Sequence, residues 1–296
     1  MRNRPEIEKR GTVDCDLVET TPIVFAGSLI RFESIRIRYR SNRTGSPFFR
    51  LLDVDSAEVL TEFAPGFDLG CAYVEGDTVY VYGVRGWGGQ EIGAFWTSDL
   101  ERWDSWKALD LAGWAVYNTS VCRAGDRYIM AIELGEPKEL VGKRFTIFFA
   151  ESPDLKDWSM LPLDRVFSRD RYTACPAIRY IDGRFYMVYL EAKPGPSYEP
   201  HIVRSGDLSV WEESPLNPFL SPSEGDKRIA NLNLPQDLQE RIRDAVNINN
   251  SDVDFCEYRG DTVINYSWGN QKGIEFLAEA RFEGTPEELL TGFFRE

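Results

Sequence analysis

Cys175 to Glu191 reads CPAIRYIDGRFYMVYLE: an apolar run, a turn centred on Asp182-Gly183, and a second apolar run rich in aromatics. Alternation with period 2 on both sides of a turn that accepts positive φ marks a tight antiparallel hairpin. Four other stretches repeat the pattern: TTPIVFAGSLIRFES (20–34), GCAYVEGDTVYVYG (70–83), TSVCRAGDRYIMAIE (119–133) and VDFCEYRGDTVINYS (253–267). A repeat of roughly 45 to 60 residues specifies a propeller or an array. The chain is therefore read as all-β, a five-bladed β-propeller with four-stranded antiparallel blades. One domain is expected over 1–296, with blades at 20–64, 67–111, 114–165, 171–217 and 249–284.

In the first blade the alternation predicts strands at Pro22–Phe25, Leu29–Arg38, Phe48–Val54 and Val59–Phe63. A second signature, Ser-x-Asp-Leu-x-x-Trp, appears in TSDLERW (97–103, read from Ser98), SPDLKDW (152–158) and SGDLSVW (205–211). Its Ser and Asp suit a turn that caps nearby amides, and its Leu and Trp suit packing between blades. Residues 221–247 interrupt the repeat as a rim insertion, where Leu238, Ile242 and Ala245 stand at helical spacing. Thr285-Pro-Glu-Glu288 reads as a capping box. The fifth blade lacks a fourth strand, so the stretch Thr12 to Val18 is expected to supply it.

With 34 Lys and Arg against 48 Asp and Glu, the net charge is −14. That balance repels phosphate backbones and anionic lipid, excluding nucleic acid and membrane surfaces as natural partners. The polar start MRNRPEIEKRGTVDCDLVE has no signal-like apolar core, so the chain as written is expected in the cytoplasm. Cys15, Cys71, Cys122, Cys175 and Cys256 lack metal spacing and read as reduced thiols. His201 is the only histidine, so a zinc site is not expected; no cofactor is expected either, and a structural ion on the axis stays open.

The triple Ser-x-Asp-Leu-x-x-Trp pattern, with its YxxYLE-type second strand, resembles the five-bladed propeller glycoside hydrolases of families 43, 32, 68, 62 and 130. The resemblance extends over nearly the whole chain at the level of blades. It implies an enzyme hydrolysing O-glycosyl bonds, with carbohydrate as substrate. Family 43 places three acids at inner-strand starts. The matching positions here read Thr21-Pro22, Asn118-Thr119-Ser120 and Ala174-Cys175-Pro176, so that triad is not carried over.

The candidate acids come instead from hairpin geometry, since starts of first strands and ends of second strands share one mouth of a propeller. Glu33, Glu133 and Glu191 follow the apolar runs LIRFE, IMAIE and MVYLE, and Asp252 lies in the polar NINNSD. Glycosidic cleavage needs one protonated and one ionised carboxyl. Asp252, among Asn249, Asn250 and Ser251, is read as the base, and Glu191, beside Leu190, as the acid. Glu33 fits either role, and Glu133 is the reserve.

For substrate contacts the same mouth offers Asp68, Arg85, Trp87, Asn118, Tyr172, Lys193, His201, Asn250, Trp268 and Asn270. Trp87 and Trp268 stand beside glycines as sugar platforms, and Arg36 is placed to meet an acidic sugar. A short glycan or terminal sugar is the expected substrate. The rival reading is a carbohydrate-binding propeller without catalysis.

Overall fold

The structure, a computed structural model, describes residues 4–195, 197–270 and 272–294. After the N-terminal strand β1 (Glu8–Cys15), the first blade comprises β2 (Thr20–Phe25), β3 (Ser28–Ile35), β4 (Phe48–Asp53) and β5 (Val59–Phe63). The second is β6 (Phe67–Glu75), β7 (Thr78–Arg85), β8 (Glu91–Thr97) and β9 (Asp104–Asp110). The third is β10 (Ala115–Ala124), β11 (Arg127–Glu136), β12 (Thr146–Ser152) and β13 (Ser159–Met160), with a one-turn helix α1 (Lys138–Val141) after β11. The fourth is β14 (Thr173–Ile181), β15 (Arg184–Lys193), β16 (Ser197–Ser205) and β17 (Trp211–Glu213). In the fifth, β18 (Asn249–Tyr258), β19 (Asp261–Gly269) and β20 (Glu275–Phe282) run in order. Helix α2 (Gln236–Asp244) lies in the rim insertion and α3 (Pro286–Gly292) follows β20.

Innermost strands touch in the cyclic order β2, β6, β10, β14, β18 and back to β2, which closes a ring of five. The fold is the expected five-bladed propeller. Its fifth blade is completed by β1, which pairs antiparallel with β20 from Glu8 opposite Arg281 to Cys15 opposite Phe276. That strand begins earlier than the expected Thr12 and stops at Cys15. The rim insertion grips its outer edge: Thr12 N–H donates to Arg228 O (2.7 Å) and Ala230 N–H donates to Thr12 O (2.9 Å). Gly11, at φ +115°, lets the two backbones meet, since a Cβ there would lie 2.3 Å from Arg228 O.

Apolar side chains fill the gaps between blades. Phe32, Phe49, Phe63 and Phe95 pack the first gap, and Tyr82, Val84, Met130 and Phe148 the second. Ile129, Phe149, Met187 and Val203 fill the third, while Tyr186, Val188, Phe255 and Tyr266 fill the fourth. Each fully buried aromatic of this kind contributes about 1.5–3 kcal/mol.

The Ser-x-Asp-Leu-x-x-Trp segments serve this packing. Thr97, not Ser98, fills the first position in the second blade and accepts from Leu100 N–H (2.9 Å), as Ser205 accepts from Leu208 N–H (2.9 Å). The Asp side chains cap the next turn, and the Leu residues take positive φ (63°, 67° and 66°). Trp103 then stacks on Phe63 at 3.6 Å, Trp158 meets Tyr82 at 5.5 Å and Trp211 lies over Phe149 at 5.8 Å. Each tryptophan thus reaches the blade before its own. The capping box at Thr285 is present, and Leu238 and Ile242 form the buried face of α2.

Candidate active site

At the mouth of the ring, four of the five innermost strands carry a register break: between Asp68 and Cys71, Val116 and Thr119, Ala174 and Ala177, and Ser251 and Asp254. Leu69, Cys175 and Asp252 sit at these breaks with φ of 54°, 51° and 49°. An extra residue in one strand of a pair re-aims its side chain, which is how bulges serve functional sites. Here the breaks bring Asn118, Cys175 and Asp252 to an axial cavity of about 30 Å³, room for one or two water molecules, and Glu19 joins them from the segment before β2.

Glu133, near the end of β11, is only 3% exposed and lies directly behind that lining. Its Oε2 accepts from Asn118 Nδ2 (3.0 Å) and from Cys175 N–H (2.8 Å). No cation pairs with it among the described residues. Burial pushes its pKa up to about 7, and the negative charge of Asp252 adds to the rise while the two hydrogen bonds oppose it. It therefore still carries its proton in a large share of molecules at neutrality. Burial, followed by the charges of Asp252 and Glu133, also pushes the Cys175 thiol well above its usual value, so it stays a neutral S–H. Tyr172 moves in the same direction, chiefly by burial.

Asp252 is half-buried and accepts from Ser267 Oγ (3.3 Å). Its expected neighbours are engaged elsewhere: Asn249 bonds Ser251, Asn250 bonds Asp226 and Lys9, and Ser251 bonds Ser267. One serine, rather than an amide cluster, holds the carboxylate.

The rim beside this centre belongs to the first blade. Strand β3 stops at Ile35, and a turn in which Tyr39 N–H donates to Arg36 O (3.0 Å) replaces the longer strand expected through Arg38. Released from the sheet, Arg36 pairs with Glu19 and lies 4.9 Å from the Trp87 ring, which is 58% exposed. Trp87 also meets Tyr117 edge-on at 5.7 Å. Arg36, Tyr39, Asp68 and Glu275 line a rim cavity of about 500 Å³. Asp68 is held by Ser34 Oγ (3.1 Å) and its neighbour's N–H, and burial raises the pKa of Glu275.

Several sequence candidates stand apart from this centre. Glu33 is fully buried and pairs with both Arg31 (2.6 Å) and Arg50, so it is a neutralised structural acid. Glu191 pairs with Arg171 (3.3 Å) and accepts from Tyr189 Oη (2.9 Å), a partner set that shares no residue with Glu133 or Asp252. Trp268 is wholly buried, stacked on Phe276 and donating to Thr12 Oγ1 (2.9 Å), so it is core rather than platform. Arg85 pairs with Glu91 and Lys193 with Glu199, while Asn270 caps Lys272 N–H. His201 packs against Tyr189, and burial lowers its pKa. Asp68, Trp87, Asn118 and Tyr172 remain at or beside the centre.

Cys175, Glu19, Tyr39 and Glu275 were not anticipated as site residues. Glu19 lies two residues before Thr21-Pro22, and the bulge that aims Cys175 leaves no mark in the alternation. Glu275 opens a third strand, outside the starts and ends from which candidates were drawn.

The blade arrangement is similar to that of the catalytic domain of a GH62 alpha-L-arabinofuranosidase from Coprinopsis cinerea. That match has TM-score 0.63 and 8% identity, over 97% of this chain and 99% of the other. An alpha-L-arabinofuranosidase from Podospora anserina, solved in complex with cellotriose, aligns with TM-score 0.62 and 8% identity over 91% of both chains. A xylan beta-1,4-xylosidase from Bacillus halodurans aligns with TM-score 0.60 and 13% identity, over 94% of this chain and 53% of the other. At such identities the likeness shows the propeller fold of glycoside hydrolases. No protein-family model and no curated protein sequence matches the chain.

Proposed function

We propose that the axial site hydrolyses a glycosidic bond in a short glycan or at a terminal sugar, with Glu133 as general acid and Asp252 as general base. The observation that carries this reading is the division between the two carboxyls. Glu133 is buried with neutral donors only and its pKa is raised to about 7, whereas Asp252 is half-open and lines the axial cavity beside it. A buried carboxyl that holds a proton, set beside a second carboxyl open to the cavity, is the pairing that glycoside cleavage uses. Asp252 activates a water in the cavity and Glu133 protonates the departing oxygen, so one proton is taken and one is given. The acid thereby moves from Glu191, whose charge Arg171 already balances, to Glu133.

A binding-only propeller is favoured by one observation: Thr21-Pro22, Asn118-Thr119-Ser120 and Ala174-Cys175-Pro176 stand where family 43 carries its acids. Aryl alpha-L-arabinofuranosides and aryl beta-xylosides, chosen from the neighbours' activities, separate the two readings. Release of aryl alcohol by the wild type, lost in Glu133→Gln and Asp252→Asn, is the expected result. Sugar binding without release from any of the aryl glycosides would leave the binding reading standing.

A further inference from the structure

Among the described residues, eight buried side-chain atoms lack a hydrogen-bond partner, and four of them belong to one patch of the first blade: Glu19 Oε2, Thr20 Oγ1, Arg36 Nε and Tyr39 Oη. Glu19 and Thr20 are only 6% and 4% exposed and line the axial cavity, while Arg36 and Tyr39 line the rim cavity. The Glu19–Arg36 ion pair and the Arg36 guanidinium 5.7 Å from the Tyr39 ring join them into one continuous surface. A buried polar atom without a partner is costly, and four in one place is a concentration the rest of the fold does not show. We propose that this patch is the sugar-recognition wall of the site, built to take a neutral sugar through two adjacent hydroxyl groups.

The chemistry of the four atoms selects that ligand. The carboxylate Oε2 only accepts, the guanidinium Nε–H only donates, and the two hydroxyls do either. Each hydroxyl of a vicinal diol donates once and accepts, so two neighbouring hydroxyls satisfy a mixed set that a carboxylate, which only accepts, leaves half unmet. Charge points the same way. The Arg36 charge is already balanced by Glu19, and Asp68, Glu275 and Asp252 all bear on the same guanidinium. A uronate entering here faces Asp68, Glu275 and Asp252 beside the ion pair, while Arg38 and Lys272 on the same rim cavity offset part of that charge. The acidic sugar expected from Arg36 in the sequence is thereby replaced by a neutral one. Trp87 beside Arg36 offers an apolar face for the ring itself.

The inference rests on the site being a carbohydrate site, and binding tests it separately from turnover. The probes are the methyl glycosides of arabinose, xylose, glucose and galactose, with methyl glucuronide and methyl galacturonide as acidic counterparts, titrated calorimetrically. At least one neutral glycoside should bind, its uronate counterpart at least tenfold more weakly. Tyr39→Phe and Thr20→Val each delete one hydroxyl and should each weaken that binding about fivefold to tenfold. Removing one hydroxyl of the bound diol from the sugar should cost the wild type a similar factor and cost the matching variant less. Unchanged thermal melting of the variants keeps a folding defect from imitating the result. Preference for a uronate, absence of binding by every neutral glycoside, or wild-type affinity in both variants overturns the assignment. Neutral binding that needs both hydroxyls, with no turnover of aryl glycosides, upholds the wall while sinking the hydrolytic reading.

Discussion

Asp226 and Glu133 are both buried carboxyls in the same ring, and they are treated in opposite ways. Asp226, wholly buried in the rim insertion, receives the Lys9 ammonium (2.6 Å), Tyr266 Oη (2.7 Å), Asn247 Nδ2 (2.7 Å), Asn250 Nδ2 (3.2 Å) and Ser223 N–H (2.8 Å). Glu133 has two neutral donors, both on one oxygen, and no ion-pair partner among the described residues. A carboxylate surrounded by a cation and four donors has nothing left to exchange and serves as a rivet between β1, the insertion and the fifth blade. One left short of charge compensation retains a proton that it can give away.

The sharpest way to break this contrast is to remove the Glu133 proton donor. Glu133→Gln should lower turnover of aryl glycosides by about 10² to 10⁴ fold with the fold intact. The loss should be smallest for substrates with the most acidic leaving groups. Near-normal rates across leaving groups would return Glu133 to a packing role.

Asp226 should behave in reverse. Asp226→Ala strands the Lys9 ammonium in a buried place and should destabilise the protein by about 3–5 kcal/mol in chemical denaturation. Whatever fraction stays folded should keep wild-type turnover per molecule. A denaturation midpoint near that of the wild type would show that the cluster is not the rivet described.

The pH dependence of stability separates the two acids again. Glu133 holds its proton in the folded chain up to about pH 7 but would ionise near its ordinary 4.5 when unfolded. Between those values the folded state binds more protons, so its contribution is complete below 4.5, declines as pH rises and is lost above 7. The decline amounts to roughly 3 kcal/mol. Glu133→Gln should abolish that slope and be more stable than the wild type above pH 7. Turnover should fall through the same alkaline limb as the acid loses its proton.

The smallest effect concerns the exposed platform. Trp87→Ala should raise the KM for aryl glycosides by about threefold to tenfold, an aromatic contact being worth about 0.5–1.5 kcal/mol. Stability should barely change, because the ring is mostly outside the core.

Both acids illustrate what a sequence discloses. The blades were readable because hairpins and the Ser-x-Asp-Leu-x-x-Trp turn are local: alternation, a turn residue and a capping pair act within a few positions. Glu33, Glu133 and Glu191 look equivalent in the strings LIRFE, IMAIE and MVYLE, yet two meet arginines and one does not. Arg31 and Arg50 come from the same blade as Glu33, while Arg171 enters from the loop before β14. Arg31 sits two residues from Glu33 on one strand face, where alternation already places it, but Arg50 on β4 and Arg171 in a loop arrive from outside the strand that carries the acid, and alternation within that strand does not encode their arrival. Trp268 was misjudged for a related reason. Its neighbouring glycine suggested openness, but β1 covers it, as the bond to Thr12 shows. The bulge that brings Asp252 to the axis was likewise invisible, although its position at the head of an innermost strand was not.

The pairing of β1 with β20 has a kinetic consequence. Glu8 meets Arg281, so the ring shuts only when the earliest strand finds nearly the latest. Contacts between such distant positions carry the heaviest loop-closure entropy and are the slowest kind to form. While translation proceeds, the first four blades can stack in sequence, each on the one before, with the edge of the ring open. Closure is then a single late event that converts a curved stack into a circle. Folding followed by fluorescence should accordingly end in a slow phase that substitutions in β1 retard and substitutions within the third blade leave unaltered.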